Sequence, residues 1–227
     1  MKHLFIIALL AALTAIPARA GQFLEYTVRH SSYGDIGTYS NLVQSTSGGV
    51  DVTSRLDITV KLLGLVVHRE QSLRYERWRD GRLVAFHNTT DRNGERYELS
   101  GEARGDGFLM RTPRGTYVAP ADVRPSNPWS VDMLRSGPLL STRDGTLLTA
   151  RITGVMPETV TAGGRAEQLR RFDIQSDKRE QVWINAQGVP VAFRTEEDGS
   201  PIDFILRRQE TRADTQQAAA TEVEVIR

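Results

Sequence analysis

Cysteine is absent from the 227 residues. With it go disulfides, thiolate nucleophiles, thiolate-ligated zinc and iron–sulfur clusters. An excess of charge is also missing: 29 Lys and Arg stand against 28 Asp and Glu, a formal net charge of +1. That balance supplies no overall field for holding nucleic acid, so no nucleic-acid partner is expected. Histidine pairs at ligand spacing are lacking, since His30, His68 and His87 stand far apart, and no Gly-x-Ser-x-Gly turn occurs. No metal or cofactor is therefore expected, and no catalytic residue can be named. Hydrophobic residues make up only 39% and aromatics 7% of the chain.

Long apolar runs are lacking too, with one exception. Leu4 to Ile16 is apolar except for Thr14, and is followed by Pro17 and Ala18-Arg19-Ala20. A short polar start, an apolar stretch and small residues before Gly21 form the pattern of a secretory signal peptide. The run is too short for a spanning helix, which needs about 20 apolar residues. The expectation is cleavage after residue 20, export to a bacterial periplasm or beyond, and no integral membrane segment afterwards. Removing Lys2 and Arg19 with the leader leaves 27 basic against 28 acidic residues, or −1. Residues 21–211 are expected to form a single β-rich domain and residues 212–227 a polar tail.

What the chain does have is period-2 alternation. Tyr26 and Val28, then Leu56, Ile58 and Val60, then Val182 and Ile184, then Ile202, Phe204 and Leu206 alternate with polar neighbours. Each set gives a strand one apolar face. Asp80-Gly81, Asn93-Gly94 and Asn185-Ala186-Gln187-Gly188 supply the turns between consecutive runs. The predicted fold is mainly β: an antiparallel curved sheet in an open β-roll or half-barrel. No helix alternates with the strands, which excludes a doubly wound α/β fold. Arg111 to Gly145 departs from the rhythm, with five of the nine prolines. Ser126-Asn127-Pro128-Trp129 reads there as a cap with Pro at the first helical position, predicting one short helix near Trp129–Arg135.

The aromatic residues give the main functional signal. A two-residue loop at Asp80-Gly81 pairs Trp78 with Leu83 and Tyr75 with Phe86, leaving bulky side chains on both faces of that hairpin. Trp183 is out of phase with Val182 and Ile184. A sheet apolar on one face and aromatic on the other is either covered twice or wrapped around a ligand.

The segments Glu76-Arg77-Trp78-Arg79-Asp80-Gly81, Asn127-Pro128-Trp129 and Gly188-Val189-Pro190-Val191 resemble a family of exported proteobacterial β-proteins classed as domains of unknown function. The resemblance runs from about Gly21 to Arg208 and implies no catalytic or binding residues. The Trp183-to-Val191 ending is also similar to the last hairpins of lipoprotein-carrier-like open β-rolls. That likeness implies a curved sheet holding acyl chains in its concavity. The resulting expectation is non-enzymatic binding of an apolar or amphipathic envelope ligand, lipid-like in character, with Tyr75, Phe86, Trp129 and Trp183 lining the cavity. Two alternatives remain open: a structural or interaction protein with a filled core, and a hydrolase-type enzyme using His68 or His87 beside a carboxylate.

Overall fold

In a computed structural model, residues 20–162, 165–197 and 199–213 are described. Residues 1–19 of the expected leader lie outside them, as do residues 214–227 of the expected tail, while Ala20 and residues 212–213 belong to strands. Eight strands come first: β1 (Ala20–His30), β2 (Gly34–Thr46), β3 (Gly49–Leu62), β4 (Leu65–Arg79), β5 (Arg82–Arg92), β6 (Glu95–Arg104), β7 (Gly107–Thr112) and β8 (Gly115–Pro120). Seven follow: β9 (Arg124–Pro125), β10 (Gly137–Leu140), β11 (Leu147–Ala162), β12 (Arg165–Gln175), β13 (Arg179–Ile184), β14 (Pro190–Glu197) and β15 (Ser200–Ala213).

All fifteen belong to one sheet, in the order β8-β7-β6-β5-β4-β3-β2-β1-β15-β14-β13-β12-β11-β10-β9. The first and last strands pair in its middle, Ala20 opposite Ala213 and His30 opposite Ile202. Every pairing is antiparallel except β9 with β10, where Arg124 lies beside Leu139 in parallel. The edge strands β8 and β9 are consecutive in the chain, separated only by residues 121–123. Four residue steps span at most about 14 Å. The two edges must therefore approach each other, and the sheet has to curl. It rolls almost into a barrel without hydrogen-bonding shut.

The proline-rich connection fills the resulting concavity. Met133 and Leu140 pack with Trp78, Leu83, Phe86 and Phe108 from the β3–β8 arm. Leu139, Val131 and Leu134 pack instead with Phe172, Ile174 and Ile184 from the other arm. The expected helix shrinks to one 3₁₀ turn, Val131–Met133, and its cap is Ser130, whose side chain accepts from the Asp132 amide. Ser126 to Trp129 do not cap it, because the segment is held from both sides. Asn127 Nδ2 donates to Tyr39 Oη, and Arg124 Nε takes the Met133 carbonyl at 2.7 Å.

Turn chemistry follows the sequence. Asp80-Gly81 and Asn93-Gly94 both adopt positive φ, as two-residue hairpin turns require. A bulge between Arg77 and Trp78 then alters the register, so Trp78 does pair with Leu83 but Tyr75 pairs with His87. Close packing leaves no room at Gly101, where an added Cβ would lie 2.3 Å from Phe108 Cε1 and 2.5 Å from Met110 Sδ. Gly101→Ala should cost roughly 1–3 kcal/mol by overpacking, read as a lowered urea midpoint at unchanged slope.

Candidate functional site

The curled sheet and its connection enclose a cavity of about 810 Å³. Strand periodicity decides which side chains enter it. On β2 and β3 the inward row includes Ile36, Leu56, Ile58 and Val60, and β14 and β15 add Phe193 and Phe204. This wall is apolar, with the Phe193 and Phe204 rings stacked at 4.2 Å. On β4 and β5 the inward row is polar: Glu70, Ser72, Arg74 and Thr90. Ser126, Asn127 and Thr142 of the connection continue that polar side. The chain's low hydrophobic content thus has a structural counterpart, since part of its inward surface is not hydrocarbon.

Beside the polar wall lies a buried network of charged and polar groups. Arg74 Nε sits 2.8 Å from Glu76 Oε1, and both residues are buried. Arg74 Nη2 also donates to Ser54 Oγ at 2.9 Å and Tyr39 Oη at 3.1 Å. Glu76 Oε2 accepts from two indoles, Trp78 Nε1 at 2.9 Å and Trp129 Nε1 at 3.2 Å. Burial alone would lower the pKa of Arg74, but its interactions with Tyr39 and Glu76 outweigh that and hold the guanidinium above its ordinary value. The guanidinium stays charged.

Arg124 and Glu180 are among the further charged groups that face the cavity. Arg124 is only 3% exposed, and its hydrogen bonds go to carbonyls, Met133 O at 2.7 Å and Pro138 O at 3.3 Å. Burial and the neighbouring Arg135 charge bring its pKa down to about 10, so it remains a cation at neutral pH. Glu180, in phase with the inward Val182 and Ile184 on β13, keeps some accessible surface toward the cavity. Its carboxyl is enclosed closely enough that burial pushes its pKa up to about 7, despite Lys178 nearby.

The histidines divide between the two faces. His68 Nε2 lies 3.6 Å from Glu70 Oε2 at the cavity mouth, which is the pairing a hydrolase reading asks for. The same Glu70 oxygen already accepts from Arg92 Nε at 2.8 Å, and among the described residues no hydroxyl is hydrogen-bonded to His68. The arrangement lacks an aligned nucleophile. His87 is exposed and contacts Thr89 Oγ1 at 3.3 Å. Among the described residues no group of three metal-ligating side chains converges.

None of the four aromatics expected to line the cavity is among its lining residues. Tyr75 is 45% exposed, because it alternates with the buried Arg74 and Glu76 along β4, and its cross-strand partner is His87. Phe86 is buried in the cluster built on Trp78 and Leu83, with Trp129 packed against it. Trp78 and Trp129 meet edge to face at 5.9 Å. Trp183 lies on the side of β13 opposite Val182 and Ile184, with the Arg194 guanidinium 6.0 Å from its ring centre. Phe86 and Trp129 therefore come together as core, while Tyr75 and Trp183 stand apart. Arg74, Glu76 and Glu180 escaped notice although each is two or four residues from an inward apolar side chain.

A family model described as a domain of unknown function, DUF6134, matches residues 26–207. No curated protein matches the sequence. Among solved structures the chain is similar to a β-barrel-like protein of domain of unknown function DUF1849 from Brucella abortus. The TM-score is 0.57 at 10% identity, over 86% of this chain and 98% of that one. At that identity the likeness concerns the fold alone.

Proposed function

The chain belongs to the DUF6134 family, which brings no assigned activity, and we propose that it is an exported envelope protein that binds a single-chain anionic amphiphile, such as a fatty acid, inside the rolled sheet. The observation that carries this reading is the two-sided cavity of about 810 Å³. That volume falls within the ≈ 300–1,000 Å³ range of small-molecule sites. An apolar wall with a few convergent polar groups suits a hydrocarbon chain with one charged end. Arg124 supplies a buried cation whose hydrogen bonds among the described residues go to carbonyls, with the Asp122 charge nearby, and a carboxylate head would give it a charge-assisted partner. The apolar lining of Ile58, Val60, Phe193 and Phe204 accommodates the tail by burial at roughly 25 cal/mol per Å².

The test is displacement of anilinonaphthalene sulfonate by a C16 fatty acid. The native tryptophans lie outside the lining and would report poorly. Ile58→Trp, which fills the apolar wall, should weaken fatty-acid binding at least tenfold. The wild-type protein should also gain thermal stability from the ligand, about 2.7 kcal/mol at a hundredfold excess over Kd. A protein whose melting temperature and dye fluorescence ignore the fatty acid would sink the reading.

A further inference from the structure

Three hairpins of the sheet turn through two residues that both have positive φ: Leu63-Gly64, Asp80-Gly81 and Asn93-Gly94. Asp and Asn are ordinary at the first position of such a turn, because their short polar side chains tolerate the left-handed region. Leucine is not. Leu63 holds φ at 51° and is 96% exposed. The chain therefore accepts backbone strain and a fully wetted leucine at one place. Such strain is retained where it serves a purpose.

The surroundings say which purpose. Leu62, Leu65, Val66 and Val67 are each more than 50% exposed, so the tip is a contiguous apolar patch, unlike a scatter of single surface residues. It also projects. The β2 pairing of β3 ends at Ile58, and the β5 pairing of β4 begins at Glu70. Leu62 therefore stands four residues, about 13 Å, beyond the last β3 residue that pairs with β2, and Leu65 stands five residues beyond the first β4 residue that pairs with β5. Residues 58–69 contain Lys61, His68 and Arg69 and no carboxylate. The local sign is positive although the whole chain is nearly neutral. Finally, Val67 lines the cavity mouth, as does Tyr33, which is 48% exposed.

We infer that the β3–β4 hairpin docks the protein on an anionic bilayer, its apolar tip entering the headgroup–acyl boundary beside the cavity mouth. Lys61 and Arg69 then lie at phosphate level, and Tyr33 occupies the interfacial zone that tyrosine prefers. Interfacial segments enter to a depth of about 5–10 Å, a depth the unpaired end of the hairpin can supply. The inference deepens the proposed binding and rests on it for its purpose: the bilayer is where a single-chain amphiphile would enter or leave the cavity.

The experiment is co-sedimentation of the purified protein with vesicles of equal parts phosphatidylglycerol and phosphatidylcholine, against phosphatidylcholine alone. Wild-type protein should sediment with the anionic vesicles and much less with neutral ones. Leu63→Asn should reduce that partition at least tenfold. The variant should melt at the same temperature or a few degrees higher, because the turn strain is relieved, and should keep its fatty-acid affinity in solution. Val118→Ser, which removes a valine 65% exposed on another strand, should sediment like wild type. Wild-type protein left in the supernatant, an unaffected Leu63→Asn, or a concentration-dependent dimer that Leu63→Asn dissolves would each overturn the inference. Wild-type protein that binds fatty acid but neither kind of vesicle would overturn this inference alone, leaving the proposed ligand standing.

Discussion

Arg74→Met should lower the folding free energy by about 3–5 kcal/mol, the range expected when one partner of a buried ion pair is removed. The side chain is 5% exposed and its partner Glu76 is 3% exposed, so neither charge can turn to bulk water. Methionine approximates the aliphatic stem in volume, which keeps the cavity contribution small. What remains is a Glu76 carboxylate facing only two indole N–H groups. Tyr39 and Ser54 lose their guanidinium donor as well. Urea unfolding followed by circular dichroism measures the loss, and a change below 1 kcal/mol would contradict the network described here.

The double replacement Arg74→Met with Glu76→Gln separates the two contributions. Removing both charges leaves no unpaired ion, so the double variant should be more stable than the sum of the single losses predicts. A coupling energy within the range of about 0.5–3 kcal/mol found for groups in one network is expected. The pair does not have to be net stabilising for this outcome, because hydrophobic replacement of buried ions is often neutral. Its structural consequence is positional. It links β4 to Tyr39 on β2 and, through Trp129, to the connection 53 residues away. Those ties hold the polar wall against the connection.

Such long separations explain what the sequence could and could not disclose. Alternation at Leu56, Ile58 and Val60, and the dipeptides Asp80-Gly81 and Asn93-Gly94, act locally, so the antiparallel roll was legible from them. The cross-strand partner of Tyr75 was not. One bulge between Arg77 and Trp78 shifts the pairing of every residue beyond it, and nothing local announces that extra residue. Phe86 and Trp129 went to the core for a related reason: the connection that buries them folds back from the far end of the chain. The polar lining residues were within reach of the pattern. Arg74 and Glu76 share the parity of Trp78, and Glu180 that of Val182 and Ile184. Charge on an inward row simply contradicts the assumption that inward means apolar. That contradiction is itself the mark of a cavity with a polar side.

Glu180 gives the strongest pH signature. Its carboxyl ordinarily titrates near 4.5 and is held up to about 7 in the folded chain by burial, with Asp177 adding to the rise and Lys178 opposing it. Below the unfolded value both states are protonated and the group costs nothing. Between 4.5 and 7 the folded state retains a proton that the unfolded chain has released, so stability falls as pH rises. Above about 7 the full cost is present, at most about 3 kcal/mol, and less where cavity water solvates the carboxylate. Glu180→Gln should therefore match wild type at pH 4 and exceed it increasingly between pH 5 and 8, measured as the difference in thermal or urea stability. The same ionisation places a negative charge in the cavity wall. An anionic amphiphile should bind wild-type protein more weakly at pH 8 than at pH 6, and Glu180→Gln should flatten that dependence. Equal pH profiles for the two proteins would show that Glu180 is solvated in the folded state and does not face the ligand.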